Sequence, residues 1–503
     1  MKSKYVMALD EGSSSARAVL FDEHGVIRSD HALPIHAIFP HPGWVELDPE
    51  AVWQAMLEAI HQAMRKVNAS AEDIEVVGIT THRETIVMWD RKTGKPVYNA
   101  VMWSSKQTDD IIRNWSLAGF DPEFRSRTGV RNDSYFSAGK IAWLCENLPG
   151  VRALAESGAL AVGTMDSWLL WKLTGGQRHA TDYSAASRTA LLNLDQRSWD
   201  LELAEMLRIP TAALPAILES DGYFGEIAPG ILPGPMKHSI PIRGILGDQQ
   251  AGLFGQACLN PGEAKNTFGT TGVLTVNVGD SPKIMDGMSS SVAWNLNGNT
   301  IFEAEGVVFF SGKTMAWLRD NLGVLDSSDH AEALAASIPD NGGVYLVPAF
   351  NGLCDPYWDR DVRGAIMGLQ LDTSKAHLVR AGLESMAYQT ADNVNTLRAG
   401  GIEIPSLKID GGAVRNNWLC QFQADVLGIP VLRPSEPERT ALGVAHIAGA
   451  AVGLWSLESI SDRWELDREF VPQISADQRA ALLQEWTDAV TAAQSLPARK
   501  VQA

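Results

Sequence analysis

Cysteine is rare in this chain of 503 residues: Cys145, Cys258, Cys354 and Cys420 are the four it has. No two lie close enough for a zinc or redox spacing. Scattered so widely, they read as reduced, buried thiols of a cytosolic protein. Positive charge is scarce as well. Against 60 Asp and Glu stand 42 Lys and Arg, a net charge of −18. That deficit argues against a nucleic-acid surface, which needs clustered cations, and against an anionic membrane. Long apolar runs are missing too. The opening MKSKYVMALDEG lacks the apolar core of a secretory signal. The most apolar long stretch, ALGVAHIAGAAVGLW at 441–455, is too short to span a bilayer and fits a buried core helix. The expectation is a cytoplasmic protein with no membrane span and no nucleic-acid partner; assembly into a homo-oligomer stays open.

Hydrophobic residues make up 45% of the chain, ample for the cores of two or three domains. The first element, KYVMALD, is an apolar strand ending at Asp10. EGSSS is a turn of small residues, and ARAVLFD is a second strand, so the chain opens with a hairpin. A helical pattern over Pro49–Lys66 precedes a strand at 72–81. The opening then recurs near the middle: GEAKNTFGTTGVLTVNVGD at 262–280 is again strand, small-residue turn, strand. Two such hairpins, each starting a half, predict a duplicated architecture with a junction at 255–262. The second half alternates a strand at 341–350, a long helix, and a strand at 407–410 followed by a Gly-Gly turn and a helix. A final helix starts at Ser475 with Gln478 in capping-box position. Alternation of this kind implies an α/β fold.

EGVVFFSGKT at 305–314 ends in the Gly-Lys-Thr of a phosphate-binding P-loop. That motif needs four residues between its glycines; here five separate Gly306 from Gly312, and they are bulky. The P-loop is rejected. Gly312, at the start of a helical stretch, remains a candidate nucleotide contact.

Three other phosphate-binding candidates remain: DEGSSSAR, GTTG and DGGAVRNN. With HPGWVELDP (41–49), GITTHRETIVMWD (78–90), SYFSAGKIAWL (134–144), GDQQAGLFGQ (247–256) and DPYWDRDVRGAIMGL (355–369), they form an ordered set along nearly the whole chain. That set resembles the FGGY carbohydrate kinases of the actin-like ATPase superfamily. The resemblance implies two RNase H-like domains, 1–256 for acceptor and phosphates and 257–503 for nucleotide, with ATP in the cleft between them. It implies ATP and Mg2+ as cofactors, and a small polyol as the partner molecule, glycerol first.

Phosphoryl transfer to an alcohol needs a proton acceptor, a metal site and donors around the phosphates. Asp248 in GDQQ stands at the end of an apolar segment. Alone, the motif fits a catalytic base and a helix N-cap equally; the resemblance implies the base. It also implies Mg2+ at Asp10, through water, with Asp248 nearby. Ser13, Ser14 and Ser15 would offer hydroxyls and N–H groups to the phosphates, and Arg17 a cation. Thr270, Gly312, Gly412 and Asn416 match nucleotide-binding positions. Arg83 and Glu84, a forked cation and an anion, would bracket vicinal hydroxyls. Trp103 and Tyr135 would wall the carbon backbone, with Gln249 completing the acceptor set.

Several positions depart from glycerol-phosphorylating members. Glu11 stands for Gln, Ser104 and Ser105 follow Trp103, Val273 stands near the place of a Phe, and Ala316 replaces a nucleotide-side Gln. The glycine-and-arginine loop for a sugar bisphosphate regulator is not visible in GPMKHSIPIRG. Smaller residues leave room, so an erythritol-like four- or five-carbon polyol or sugar is the alternative acceptor. An actin-like or chaperone-like ATPase is the rival from another class.

Overall fold

The computed structural model describes residues 4–436 and 438–496. Two large sheets organise them. In the first half, β1 (Tyr5–Glu11), β2 (Ser15–Phe21) and β3 (Ile27–Pro34) form an antiparallel meander. Then β4 (Ile74–Thr81) pairs parallel to β1, and β5 (Pro241–Gly247) parallel to β4. The second half repeats the plan. Antiparallel β6 (Ala264–Phe268), β7 (Gly272–Gly279) and β8 (Asn299–Val308) are followed by β9 (Leu407–Asp410) parallel to β6. Finally β10 (Val431–Pro434) runs parallel to β9. The duplicated architecture expected from the two hairpins is therefore present in the topology.

Helix α1 (Pro49–Lys66) occupies the expected span, capped by Asp48, whose carboxylate accepts from the N–H groups of Glu50 and Ala51. Its buried face, Val52, Met56, Ala59, Ile60 and Ala63, covers the first sheet through Met7, Leu9, Ala18 and Leu20. Burying Val52, Met56 and Ile60 contributes roughly 1.5–3 kcal/mol each. Along the chain follow α2 (Asp248–Gly255), α3 (Gly312–Asp320), α4 (Lys375–Ala399) and α5 (Asn417–Leu427). Then come α6 (Arg439–Ala451) and α7 (Ala476–Ser495). Ser475 and Gln478 make the expected capping box on α7. The apolar stretch 441–455 supplies most of α6, a buried helix as expected, and no helix among the described residues is long and apolar enough to cross a membrane. The strand expected over 341–350 is confined to Tyr345–Val347, because Pro348 ends it and only Ala365–Met367 pairs with it.

The two halves meet through α2 and α6. A Cβ on Gly443 would sit 2.0 Å from the Ala251 carbonyl oxygen, and one on Gly255 2.0 Å from that of Arg439. Only glycine permits backbones to approach so closely. Helix α6 comes from the second half but also presses Val444 and Ala448 onto Gly78 and Gly244 of the first sheet. Residues of both halves thus share one core, which includes Val6, Ala8 and Leu246 with Ala441, Val444 and Ala448.

Candidate active site

Register places the chemistry. Along the first sheet Glu11 pairs with Thr81, and Thr81 with Gly247. The residues at the strand ends, Asp10 with Glu11, His82 to Glu84, and Asp248, therefore share one edge. Such carboxyl-terminal strand edges are where open α/β sheets bind ligands. Asp248 is the first residue of α2, with Gly247 in the cap position. Its carboxylate accepts from the Gln249 N–H (2.8 Å) and stands 3.4 Å from Arg83 Nε. Asp10 is pushed up to about 7 by burial and next by the charge of Asp248.

The residues expected to receive the acceptor form one largely buried network. Arg83 is paired through Nη2 with Glu305 at 2.6 Å, and Glu84 with Arg188 at 2.6 Å. Glu84 holds a left-handed backbone, φ 65°, which a residue with a Cβ adopts only under constraint. Burial raises its pKa against the pull of Arg188 and Arg83. Trp103 and Tyr135 meet edge to face with centroids 5.6 Å apart. Trp103 is tied twice: its indole N–H donates to Ser13 Oγ (2.9 Å) and its backbone N–H to Thr85 Oγ1 (3.2 Å). The acceptor wall is thereby bonded to the tip of the opening hairpin. Glu11 is fully buried, and its carboxylate meets His82 Nδ1 at 2.8 Å. Burial works against a charged His82, but the Glu11 carboxylate outweighs it and raises the pKa. Gln249 is held by Asp248 (3.2 Å) and by the Lys265 ammonium. Val273 is buried with Val307 and Cys354, packed by Phe309 and Trp358.

A cavity of about 560 Å3 opens in the second half. Thr270, Gly312, Ala316, Gly412 and Asn416 line it together. A Cβ on Gly412 would meet nothing within 4 Å, so the backbone there faces open space. The Gly-Lys-Thr turn behaves unlike a P-loop. The Gly312 N–H donates to the Gly269 carbonyl (2.9 Å), and those of Ser311 and Lys313 to Thr270 (3.3 Å each). Its donors are satisfied by the second hairpin, so no phosphate nest forms. A second cavity, about 170 Å3, is lined by Trp103, Ser104, Tyr135 and Phe309. Thr270 and Lys313 line both cavities, which makes them neighbours.

One expected contact is placed differently. Arg17 lies between Asp30 (2.8 Å) and Glu438, engaged by carboxylates rather than aimed free at a phosphate. Ser14 is exposed and Ser15 half-buried at the hairpin tip. Reading the sequence missed Lys313, Lys265, Arg188, Glu303 and Glu305. The two glutamates carried a signal: polar residues two apart in an otherwise apolar strand lie on one face. Glu303 is pushed up to about 7 by burial and by Glu305, while two guanidinium groups hold Glu305 below the usual range despite its burial.

Comparison with known proteins bears on both halves. Residues 5–255 match the N-terminal domain of the FGGY family of carbohydrate kinases, and residues 264–452 its C-terminal domain. A glycerol kinase of Symbiobacterium thermophilum is 46% identical over 493 residues, covering 97% of this chain and 98% of that protein. A glycerol kinase of Saccharolobus islandicus is 46% identical over 495 residues, 97% of either chain. Among solved structures, Plasmodium falciparum glycerol kinase with ADP superimposes at a TM-score of 0.91 and 30% identity, covering 98% of this chain and 99% of that one. A xylulose kinase of Lactobacillus acidophilus, 20% identical with a TM-score of 0.87 and 98% and 99% coverage, shares the fold.

Proposed function

The chain belongs to the FGGY family of carbohydrate kinases, and from that premise we propose that it transfers the γ-phosphoryl group of ATP to a terminal hydroxyl of glycerol. The observation that carries this reading is the pair of adjoining cavities. The one walled by Trp103 and Tyr135 borders the one lined by Gly312, Gly412 and Asn416, with Thr270 and Lys313 common to both. Asp248 lines neither cavity and stands at the strand edge 3.4 Å from Arg83; in this reading the polyol reaches from the aromatic wall to that carboxylate. We place the junction between the two domains at 256/257.

In this mechanism the Asp248 carboxylate takes the hydroxyl proton as the acceptor oxygen bonds to the γ-phosphorus and the bond to ADP breaks. Arg83 and Glu84 orient the acceptor by charge-assisted hydrogen bonds, and Trp103 and Tyr135 exclude water from its carbon face. Ser13, Ser14 and Ser15 face the phosphates with hydroxyls and N–H groups. Asp10 and Asp248 fit Mg2+. Burial, and next the charge of Asp248, raises Asp10, and a divalent cation held by these residues would favour the ionised carboxylate. Among the described residues no cluster of three or more His, Cys, Asp or Glu could hold a metal. Mg2+ suits such sparse ligation, since it keeps waters and shares phosphates, and when bound it neutralises phosphate charge.

Family membership sets aside the actin-like or chaperone-like ATPase. A longer acceptor keeps one supporting observation, the small Ser104 on the wall of the acceptor-side cavity. A panel of glycerol, erythritol and xylitol with ATP, following ADP release, separates the readings. The expected outcome is the highest kcat/KM for glycerol. A higher value for erythritol or xylitol makes the longer polyol the substrate, and ADP release indifferent to every polyol overturns the acceptor assignment.

A further inference from the structure

We infer that Arg188 and Glu305 are positioning residues of the transfer site, a strut that fixes Glu84 and Arg83 in the poses that receive the acceptor. The inference rests on the acceptor role proposed for Arg83 and Glu84. Arg188 is fully buried and meets two residues of that site as well as Glu305. Its Nε donates to Glu84 Oε1 at 2.6 Å, its guanidinium lies over the Tyr135 ring at 5.9 Å, and its Nη2 donates to Glu305 Oε1 at 2.6 Å. Glu305 offers its other oxygen, Oε2, to Arg83 Nη2, again at 2.6 Å. One carboxylate thus joins both guanidinium groups, each on its own oxygen. It reaches Arg83 from the second sheet, because Glu305 lies in β8 and Arg83 follows β4.

Two physical arguments separate this strut from ordinary packing. Buried ion pairs are weak stabilisers, since desolvating each charge offsets most of the attraction, and apolar residues of similar volume often do better. Here two guanidinium groups and the carboxylates Glu84, Glu303 and Glu305 are all buried between sheets that already possess large apolar cores. Charge kept at that cost points to orientation. The second argument is the backbone of Glu84. Its left-handed conformation persists because its surroundings over-determine it. Ser137 Oγ donates to the Glu84 carbonyl at 3.0 Å, and Arg188 holds the side chain. Without Arg188 the carboxylate has Arg83 at 3.9 Å as its remaining ionic partner among the described residues. The relaxed pair would no longer bracket adjacent hydroxyls.

The test compares wild type with Glu305→Gln and Arg188→Lys, folding being checked by circular dichroism. Three quantities are read: kcat and KM for glycerol, selectivity for glycerol over 1,3-propanediol, which lacks the middle hydroxyl, and ADP affinity without acceptor. In each variant the glycerol KM rises about tenfold or more and selectivity falls by a similar factor, while ADP affinity stays within about twofold. A folded variant with wild-type KM and selectivity overturns the strut, as does an equal loss of ADP affinity. Failure of both variants to fold also overturns it, because the pair is then a folding element. If wild type turns over no polyol, the functional reading itself fails and takes the inference with it; if it does and the variants behave as wild type, the strut alone fails.

Discussion

The hairpin β1–β2 and the hairpin β6–β7 each open a sheet, each lie beside a parallel strand, and each turn at the cleft through small residues. What stands at the strand ends differs. In the first half these ends carry Asp10, Glu11, Arg83, Glu84 and Asp248. In the second they carry Gly269, Thr270, Gly411 and Gly412. Gly411 has φ +92°, and a Cβ there would sit 2.6 Å from the Phe268 carbonyl oxygen, so a larger residue is excluded. Under the proposed function one scaffold serves two purposes. Moving a proton and orienting an alcohol demand point charges at fixed places, whereas seating a nucleotide demands bare backbone and room.

Breaking the first half should cost the most. Asp248→Asn removes the proton acceptor while preserving shape. A fall in kcat of about 10^3-fold or more is expected, with ADP affinity within about threefold by calorimetry. Full activity in this variant would place the base elsewhere. In the second half, Gly412→Leu should strike the opposite parameter. A side chain there projects into open space at the nucleotide cavity, and overfilling such a site costs about 1–3 kcal/mol. The KM for ATP is expected to rise about tenfold to a hundredfold with kcat at saturation little changed. A dominant loss in kcat would erase the division of labour between the halves.

The smallest effect sharpens the contrast between carboxylates. Asp392 on α4 accepts from the Tyr357 hydroxyl (2.9 Å) and the Trp486 indole (2.8 Å), both on Oδ2. Burial raises it from 3.8 to about 7. A carboxyl raised in the folded state keeps a proton that the unfolded chain releases. Its stabilisation is therefore present below pH ~4 and lost as pH rises through about 7. Asp392→Asn leaves an acceptor oxygen for both donors and abolishes this loss. Between pH 5 and pH 8 the variant should gain about 2 kcal/mol relative to wild type in denaturant unfolding, after allowance for its residual solvent contact. Parallel pH profiles would remove the protonated assignment. Asp248 keeps part of its side chain exposed at the strand edge, whereas Asp392 is held by Tyr357 and Trp486.

Much of the fold was legible because its signals are local. Helix α1 announces itself by periodicity and by Asp48 before Pro49, α7 by Ser475 and Gln478, and both hairpins by small residues between apolar strands. Where a strand depends on its partner, as at Tyr345–Val347, sequence overstated its length. In the site, the acids at strand ends could be read as candidates, but the GDQQ motif alone fits a base and an N-cap equally, and only the fold places Asp248 one residue inside α2 and beside Arg83. Arg17, a plausible phosphate ligand by its place in the hairpin, is drawn away by Asp30 and Glu438, the second more than four hundred positions distant. Arg188 was not visible at all, since its partners lie 104 and 117 positions away.

By itself, then, the order of residues determined where strands end, which ends bear charge and which bear glycine, because turn chemistry and periodicity act over a few neighbours. Tertiary structure alone decided which charges meet. A guanidinium group, buried, must find a carboxylate wherever the packing of the two halves brings one, and that choice is settled only when β4 and β8 close on each other.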